Sequence, residues 1–413
     1  MREMKPSSME WVGDIPASWK VMPNKYLMYK KKEICRVYNG EDILSLTMKG
    51  VIVRDLDAGG KMPTSFDGYQ RLESGNLLMC LFDIDVTPRC IGLIKQTGLS
   101  SPAYSQFVVC DNANAAYYCY YYTMLDNDKT LLHLAKNLRH SLTEDQLGAI
   151  PVIVPPMDEQ QRIADFLDAK CAEIDALTTD IQTQIDTLEQ YKRSVITETV
   201  TKGLNPNAEM KDSGVFYMAP MNASWRLTKI GYICTKLSRS FVSEDTALIC
   251  SNKGKVQVRA DDLTGIMVSD DNAMQGIRAG DIAIHGMDTW HGAIALSEFD
   301  GKITRVVHVC NSTEDKRFIV YYMQHLAFQG VYKLISNGVR GNTSDFRSWD
   351  KVRDIWIAIP KTRQEQEAIC DYLDRQCNAV EEVISTKKQQ LEVLATYKKS
   401  LIFEYVTGKK EVV

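Results

Sequence analysis

Apolar residues recur at every third or fourth position along two stretches of the chain, which is the spacing of an amphipathic helix. Neither stretch contains proline or glycine until Gly203 and Gly408. Each therefore predicts a helix of about 40 residues, roughly 60 Å long. The positions expected to pack the helices together are Ile163, Leu167, Ile174, Leu177, Ile181 and Leu188 in the first, and Leu373, Val380, Val383, Leu391, Leu394 and Leu401 in the second.

Such a narrow apolar stripe requires a packing partner, and much of it fits the seven-residue repeat of coiled coils. The other stretch of the same chain is the nearest candidate. This predicts an antiparallel coiled coil within one molecule, and the alternative is a parallel coil between two chains.

The two helical stretches are copies of one sequence. Glu159–Leu177 reads EQQRIADFLDAKCAEIDAL and Glu365–Val383 reads EQEAICDYLDRQCNAVEEV, with seven of the nineteen positions identical at an offset of 206 residues. The same offset matches Trp19 and its two preceding residues to Trp225 and its two preceding residues. We infer that the chain consists of two copies of one unit laid end to end.

Between these matching ends the copies diverge and mix two patterns. Short apolar runs broken by turn residues, such as YSQFVVCD and GDIAIHGM, indicate strands, and YYCYYYTML indicates a helix. The predicted fold class is α+β, with two mixed α/β globular domains joined by two long antiparallel helices and related by an internal pseudo-twofold repeat. The predicted segments are 1–155 (globular), 156–204 (central long helix), 205–360 (globular) and 361–413 (C-terminal long helix).

Length and composition narrow the class of protein. A chain of 413 residues is expected to form two or three domains. It contains no apolar run long enough to span a membrane, and MREMKPSSMEW lacks the apolar core of a signal peptide. The eleven cysteines are scattered without a C-x-x-C pair, which favours reduced thiols in a cytoplasmic protein over disulfides or zinc.

A search for catalytic motifs finds none. The sequence lacks a G-x-x-x-x-G-K-[S/T] phosphate-binding loop, a G-x-G-x-x-G dinucleotide motif and the Asn/Asp-Pro-Pro-aromatic loop of DNA amino-methyltransferases. His285 and His291 lie six residues apart, without the spacing of a helical zinc site. We therefore expect no catalytic residue, no metal site and no cofactor bound by this chain.

Several loops combine basic, amide and aromatic side chains, which are the groups that contact phosphates and base edges. The net charge of −4 gives no sign of nucleic-acid binding by itself, and a solvated surface explains any single cluster equally well. As candidate DNA contacts we take Arg36, Tyr69, Gln70, Arg71, Tyr104, Gln106, Arg139, His140, Lys253, Lys255, Arg259, Trp290, His291, Arg305, Arg340 and Asn342.

Two motifs give the chain a family resemblance. The opening SSMEWVGDIPASW and the segment Ile153–Asp168, which reads IVPPMDEQQRIADFLD, resemble the specificity (S) subunits of type I restriction–modification systems. The resemblance spans the full chain, including its two-copy plan. The second copy departs from the pattern, because Phe216-Tyr217-Met218-Ala219 replaces the Glu-Trp-x-Gly type and Lys361-Thr362 replaces the two prolines.

The resemblance implies a function. Each globular part would be a target recognition domain that reads one half of an asymmetric, bipartite double-stranded DNA site, and the helices would fix the spacer between the halves. Two modification subunits would dock and methylate adenine with S-adenosylmethionine, and restriction subunits, when present, would add cleavage driven by ATP with magnesium. The alternative is a coiled-coil scaffold that carries two ligand-binding domains and has no affinity for DNA.

Overall fold

The two repeated apolar stripes form two long helices in the computed structural model of the chain, Met157–Lys202 and Arg363–Val406. The structure describes residues 2–57, 63–135, 140–259, 271–336 and 345–412. The chain divides into two compact units: unit 1 comprises Met1–Ile181 and Lys388–Val413, and unit 2 comprises Gln182–Lys387. Each unit thus contains a head, meaning its part outside the long helices, and about half of each long helix.

The head of unit 1 is built around a four-stranded antiparallel sheet. Its strand order is β4-β11-β8-β9, and the hairpin β5–β6 and the pair β7–β10 lie beside it. The pair β3–β12 joins the two ends of the head where the chain enters the central helix. The elements are β1 (Met4–Pro6), β2 (Asp14–Pro16), β3 (Lys20–Pro23), β4 (Met28–Lys31), β5 (Leu44–Thr47), β6 (Gly50–Val53), β7 (Gln70–Leu72), β8 (Leu77–Met79), β9 (Ile91–Leu93), β10 (Gly98–Ser100), β11 (Ser105–Val109), α1 (Ala115–Asn127), α2 (Thr130–Leu134), α3 (Glu144–Ala149), β12 (Pro151–Val154) and the central helix α4.

The head of unit 2 repeats this plan. Its first sheet has the order β16-β23-β20-β21, and its second sheet, β18-β17-β22-β19, contains the parallel pair β17–β22. The pair β15–β24 takes the place that β3–β12 has in unit 1. The elements are β13 (Met210–Lys211), β14 (Met221–Asn222), β15 (Arg226–Lys229), α5 (Ile230–Ile233), β16 (Cys234–Lys236), β17 (Ala247–Ser251), β18 (Lys255–Val258), β19 (Met274–Ile277), β20 (Ile282–His285), β21 (Ile294–Leu296), β22 (Gly301–Thr304), β23 (Val307–Ser312), α6 (Lys316–Phe328), α7 (Val331–Leu334), α8 (Trp349–Arg353), β24 (Trp356–Ile359) and the C-terminal helix α9.

Within each unit the two long helices run antiparallel. In unit 1 the Nζ atom of Lys398 lies 2.6 Å from a carboxylate oxygen of Asp175. In unit 2 Lys192 makes the equivalent ion pair with Glu381 at 2.5 Å. The predicted α+β fold with its antiparallel helix pair is confirmed.

The packing seam of the helices differs from the predicted one at two positions. Leu177 and Val383 are 51% and 45% exposed, so they do not pack in it. In α9 the seam passes one residue further along, through Ile384, which is 8% exposed, and in α4 it continues at Ile185, which is 2% exposed. Of the other predicted positions, Ile163, Leu167, Ile174, Leu373, Val380 and Leu401 are buried, and Ile181, Leu188, Leu391 and Leu394 are half-buried.

Each head shares a hydrophobic core with the long helices. In unit 1 four tyrosines of α1, including Tyr117 and Tyr121, are fully buried together with Leu401 and Val406 near the end of α9. In unit 2 the core combines α6 and β24 with Ile196 and Val200 of α4. The hydrophobic core of each head is thus completed by long-helix residues that are distant from the head in sequence.

Candidate nucleic-acid interface

A tryptophan near the start of each copy is fixed to the beginning of a long helix. The indole nitrogen of Trp19 donates to Oε2 of Glu159 at 2.8 Å, and that of Trp225 donates to Oε1 of Glu365 at 2.9 Å. Both tryptophans are buried. The tryptophan and the glutamate of the repeated sequence motifs are therefore the two halves of one contact.

The glutamine that follows the glutamate is a second repeated contact. Gln160 donates to the carbonyl of Pro155 at 2.9 Å and accepts from the backbone nitrogen of Asn114 at 2.8 Å. Gln366 does the same with Pro360, at 3.1 Å, and with Asp315, at 2.8 Å. Both glutamines are fully buried. Each one ties the start of a long helix to the residue that caps the main helix of its head.

A tyrosine–aspartate pair is the third repeated contact. The hydroxyl of Tyr120 donates to Asp168 at 2.7 Å, and that of Tyr321 donates to Asp374 at 2.6 Å. Burial and this bond to a carboxylate raise the pKa of both tyrosines well above the usual value. Sequence alignment suggests that Tyr121 matches Tyr321, but these contacts show that Tyr120 does. The three contacts form the same frame in both units.

In unit 1, three of the candidate DNA contacts lie in one loop region. The backbone of Cys35 bonds to Tyr69 at 2.8 Å, which brings Arg36 and Tyr69 close together, and Arg71 bonds through its backbone to Glu33 at 2.8 Å. Phe66 lies between Tyr38 and Tyr69, with ring centroids 5.1 and 5.2 Å away. Sequence reasoning missed Tyr38 and Phe66, because their contact joins residues that are distant along the chain.

The arginines of this region differ in availability. Arg71 pairs with Glu41 at 3.4 Å and with Glu33 at 3.5 Å, which offsets much of its charge. Hydrogen bonds from the backbone, helped by Arg71, lower the pKa of Glu41. Arg36 is exposed and, within the described residues, makes no hydrogen bond or ion pair. Arg36 is therefore the cation of this region that is best placed to contact a phosphate.

Two glutamines among the candidates are not available to DNA, so their prediction is wrong. Gln70 is 1% exposed and donates to the carbonyls of Ser101 and Tyr104. Gln106 is fully buried, where it accepts from the backbone of Glu73 at 2.7 Å. These amides satisfy the backbone of neighbouring strands, and withdrawing them would leave buried polar groups unpaired.

The remaining candidates of unit 1 lie in other loops. Tyr104 is half-buried and stacks on Phe82, with a centroid distance of 6.1 Å. His140 is exposed and has a φ of +46°, a left-handed conformation that few residues other than glycine adopt. Arg139 lies outside the described residues.

In unit 2, four candidates come from two adjacent turns. A Cβ placed on Gly254 would lie 3.4 Å from the carbonyl of Gly292, so the turn with Lys253 and Lys255 lies against the one with Trp290 and His291. Lys253 and His291 are exposed. Lys255 bonds to Glu381 of α9 at 2.6 Å. Trp290 is half-buried beneath Lys333, whose Nζ atom lies 5.6 Å from the ring centroid.

The other candidates of unit 2 are separate from these turns. Arg259 is half-buried at the end of β18. Arg305 is exposed, and its Nε atom donates to the carbonyl of Met274 at 2.9 Å. Arg340 and Asn342 lie outside the described residues.

The buried titratable groups of the heads are part of the packed interior. Burial raises the pKa of Cys250 to about 12 and that of Cys234 to about 11, so both thiols are protonated near neutral pH. Nδ1 of His285 accepts two backbone N–H groups and is therefore not free to bind a metal. Among the described residues, the His, Cys, Asp and Glu side chains form no group of three suited to a metal ion.

Within the part of the chain that the structure describes, no helix has the length and apolar character needed to cross a membrane.

Comparison with known proteins was made with family models, curated sequences and solved structures. The model of the type I restriction modification DNA specificity domain matches residues 102–187, which run from the end of the first sheet through α1 into α4. No curated protein matches the chain in sequence.

Among solved structures, one from work on complex assembly and conformational transition of the type I R-M system aligns with a TM-score of 0.68 at 13% identity, covering 96% of this chain and 99% of the other. Two others also align at 13% identity over 96% of this chain. They are the HsdS subunit from Thermoanaerobacter tengcongensis, with a TM-score of 0.47 and 98% of its chain covered, and the type I S subunit from M. genitalium, with 0.41 and 97%.

The structure with the TM-score of 0.68 shows that the fold of this chain is shared along nearly its whole length. The matched domain contains Gln160 and Asp168, which belong to the frame of repeated contacts. The resemblance seen in the sequence motifs is confirmed over residues 102–187, which match the model of the type I restriction modification DNA specificity domain.

Proposed function

We propose that this chain is the DNA specificity subunit of a type I restriction–modification complex, in which each head reads one half of an asymmetric bipartite site. The main support for this proposal is that the same frame of contacts attaches two different heads to the long helices. The three frame contacts between each head and the long helices repeat residue for residue, whereas the exposed loops do not. A protein that holds two unlike surfaces in the same way is suited to reading two unlike half-sites.

The long helices are proposed to set the spacer and to dock two modification subunits. Each helix is continuous from one unit into the other, so its length fixes how many residues separate the two heads. The repeated frame offers equivalent surfaces, one in each unit, on which two copies of one partner could bind.

Catalysis is proposed to reside on the partners. S-adenosylmethionine would bind to the modification subunits, and ATP with magnesium to the restriction subunits. The adenine to be methylated would leave the base stack and enter the pocket of a modification subunit. The residues of the present chain bind and orient DNA, and they move no proton or methyl group.

Methylation mapping tests this proposal. DNA from cells that express the chain with its modification subunit should carry methyladenine within one asymmetric bipartite sequence. The second test deletes about four residues, one helical turn, from α4 after Asp175 and the turn of α9 that packs against it. This deletion should change the length of the spacer and leave the sequences of both half-sites unchanged. Methylation without sequence preference, or an unchanged spacer in a variant that still methylates, would contradict the proposal.

A further inference from the structure

The two heads share one β-hairpin, which is β5–β6 in unit 1 and β17–β18 in unit 2. A glycine of a neighbouring strand marks the same place before each hairpin. A Cβ on Gly98 would overlap the carbonyl oxygen of Asp42, and one on Gly301 would overlap that of Thr246. The residue after each glycine donates its backbone N–H to the same carbonyl, at 2.8 and 2.9 Å. The first strands of the two hairpins are therefore equivalent.

Backbone bonds at the other end of the hairpin give the same register. The backbone nitrogen of Arg54 donates to the carbonyl of Ile43 at 2.7 Å, and that of Arg259 donates to Ala247 at 2.9 Å. Both hairpins thus end at an arginine. The equivalence follows from contacts at both ends and does not depend on aligning the divergent sequences.

The tips of the two hairpins are built alike. Each begins with a hydroxyl residue, Thr47 or Ser251, whose side chain donates to the backbone carbonyl across the turn at 3.0 Å. Two residues later stands an exposed lysine, Lys49 or Lys253, followed by a glycine with a φ of +92° or +70°. Within the described residues, neither lysine side chain makes a hydrogen bond or ion pair.

Two exposed positions of the hairpin differ in kind between the heads. Unit 1 has Met48 directly after the hydroxyl residue and Ile52 two residues before the arginine, 60% and 42% exposed. Unit 2 has Asn252 and Gln257 at these positions, both exposed and without a side-chain bond in the described part of the chain. The same hairpin therefore presents apolar side chains in one head and amides in the other.

This combination of shared and differing residues suits the major groove of DNA, which admits a two-stranded β-ribbon. Phosphates are the same in every DNA sequence, so a lysine common to both heads fits them. Base edges differ between half-sites. The amide of Asn or Gln matches N6 and N7 of adenine, and an apolar side chain matches the methyl group of thymine.

We propose that each head places this hairpin in the major groove of its half-site, where the shared lysine contacts a phosphate. The exposed apolar residues of β5–β6 contact the methyl group of a thymine in one half-site, and the exposed amides of β17–β18 bond to an adenine in the other. The inference rests on the proposed function, because it assumes that the heads read DNA. The residues concerned are Met48, Lys49 and Ile52 in unit 1 and Asn252, Lys253 and Gln257 in unit 2.

Exchanging the differing residues tests the assignment. The full chain with its modification subunit selects its site from random-sequence duplexes. Met48→Asn with Ile52→Gln should change the sequence enriched in one half-site only, and Asn252→Met with Gln257→Ile should change the other only. The half-site that stays unchanged shows that the variant is folded. Met4→Asn is the matched control, because Met4 is 38% exposed on β1 outside the hairpin, and it should keep both half-sites.

Base analogues test the same contacts in the unaltered chain. Replacing adenine by 7-deazaadenine removes the N7 acceptor, and we expect binding to weaken roughly fivefold or more at an adenine of the half-site read by unit 2. Replacing thymine by uracil removes only the methyl group, and we expect a loss of roughly three- to fivefold in the half-site read by unit 1. Each loss should disappear in the exchange variant of the same head.

The shared lysine has its own readout. Lys49→Gln should reduce the slope of log binding constant against log salt concentration by about 1. It should leave the enriched sequence unchanged, since a phosphate contact carries no sequence information. A changed half-site in this variant would contradict the division of roles within the hairpin.

The two levels of failure are distinguishable. If the unaltered chain and its partner enrich no sequence from the random pool, the proposed function itself fails. If they enrich a bipartite sequence but both exchange variants select that same sequence, or both analogues bind as well as the natural bases at every position, only the role of the hairpin fails. For an exchange variant that enriches neither half-site, the analogue measurements on the unaltered chain decide.

Discussion

The two units share one frame but differ where the main helix of the head meets a long helix. In unit 2, Nδ1 of His325 lies 3.1 Å from Oγ1 of Thr197. At the same places unit 1 has Met124 and Phe403, which belong to its hydrophobic core. The head of unit 2 is therefore attached to α4 partly through a polar contact, whereas that of unit 1 is attached to α9 through apolar packing alone at this point.

A second difference lies at the start of α1 and α6. Arg317 of unit 2 contacts Asp371 at 2.9 Å and Asp374 at 2.8 Å on α9. In unit 1 Ala116 takes the place of this arginine, and the two aspartates are matched by Asp165 and Asp168. The comparison shows that the same frame of three contacts accommodates different side chains next to it. A substitution at one of these differing positions therefore perturbs one unit and not the other.

The largest expected effect comes from shortening the C-terminus. Removing residues 401–413 takes Leu401, Ile402 and Val406 out of the core of unit 1, and each buried aliphatic side chain contributes ~1.5–3 kcal/mol. The hydroxyl of Tyr117 also loses its bond to the carbonyl of Val406. We expect unit 1, including the first head, to lose its structure while unit 2 keeps it. Hydrogen exchange followed by mass spectrometry measures each unit separately, and equal protection of both in the shortened chain would contradict the assignment.

Removing a frame glutamine should have the next largest effect. Gln160→Ala leaves the carbonyl of Pro155 and the nitrogen of Asn114 buried without partners, which costs ~1–3 kcal/mol for each group. Gln366→Ala does the same in unit 2, where its Nε2 atom also donates to Glu314 at 2.8 Å. Each variant should raise hydrogen exchange in its own unit alone. Gln364→Ala, which changes an exposed glutamine two residues before Gln366 with no side-chain bond among the described residues, serves as the control.

Acid should destabilise unit 2 through His325. Burial lowers the pKa of His325 to about 4, so the unfolded chain binds a proton at a higher pH than the folded chain does. Neutral His325 therefore raises the free energy of unfolding by at most ~3 kcal/mol relative to the acid limit. This contribution is complete above pH ~6.5 and falls as the pH decreases towards ~4. Burial also lowers the pKa values of His285 and His308, with the same sign. His325→Met, which copies Met124 of unit 1, should make unfolding of unit 2 by urea less dependent on pH; an unchanged dependence would exclude His325 as its main source.

The long helices could be predicted from sequence more completely than the loops. Pro156 before the first helix and Gly203 after it mark its ends, and Gly203 has a φ of +87°, as a residue that terminates a helix often does. Leu177 was misplaced because a seven-residue pattern drifts against 3.6 residues per turn. Gln70 and Gln106 were misread because an amide that satisfies buried backbone has the same sequence signal as one that reads a base.

The smallest expected effect compares two lysines of one turn. Lys255 contacts Glu381, whose pKa is lowered because bonds from Lys192 and Lys255 outweigh its burial. Surface pairs of this kind contribute ~0–1 kcal/mol, so Lys255→Gln should barely change stability. Lys253 is exposed and has no such partner among the described residues. If the turn faces phosphate, Lys253→Gln should reduce the slope of log binding constant against log salt concentration by about 1. Lys255→Gln should reduce it less, because Glu381 already offsets that charge, and the reverse order would show that Lys255 leaves Glu381 when DNA binds.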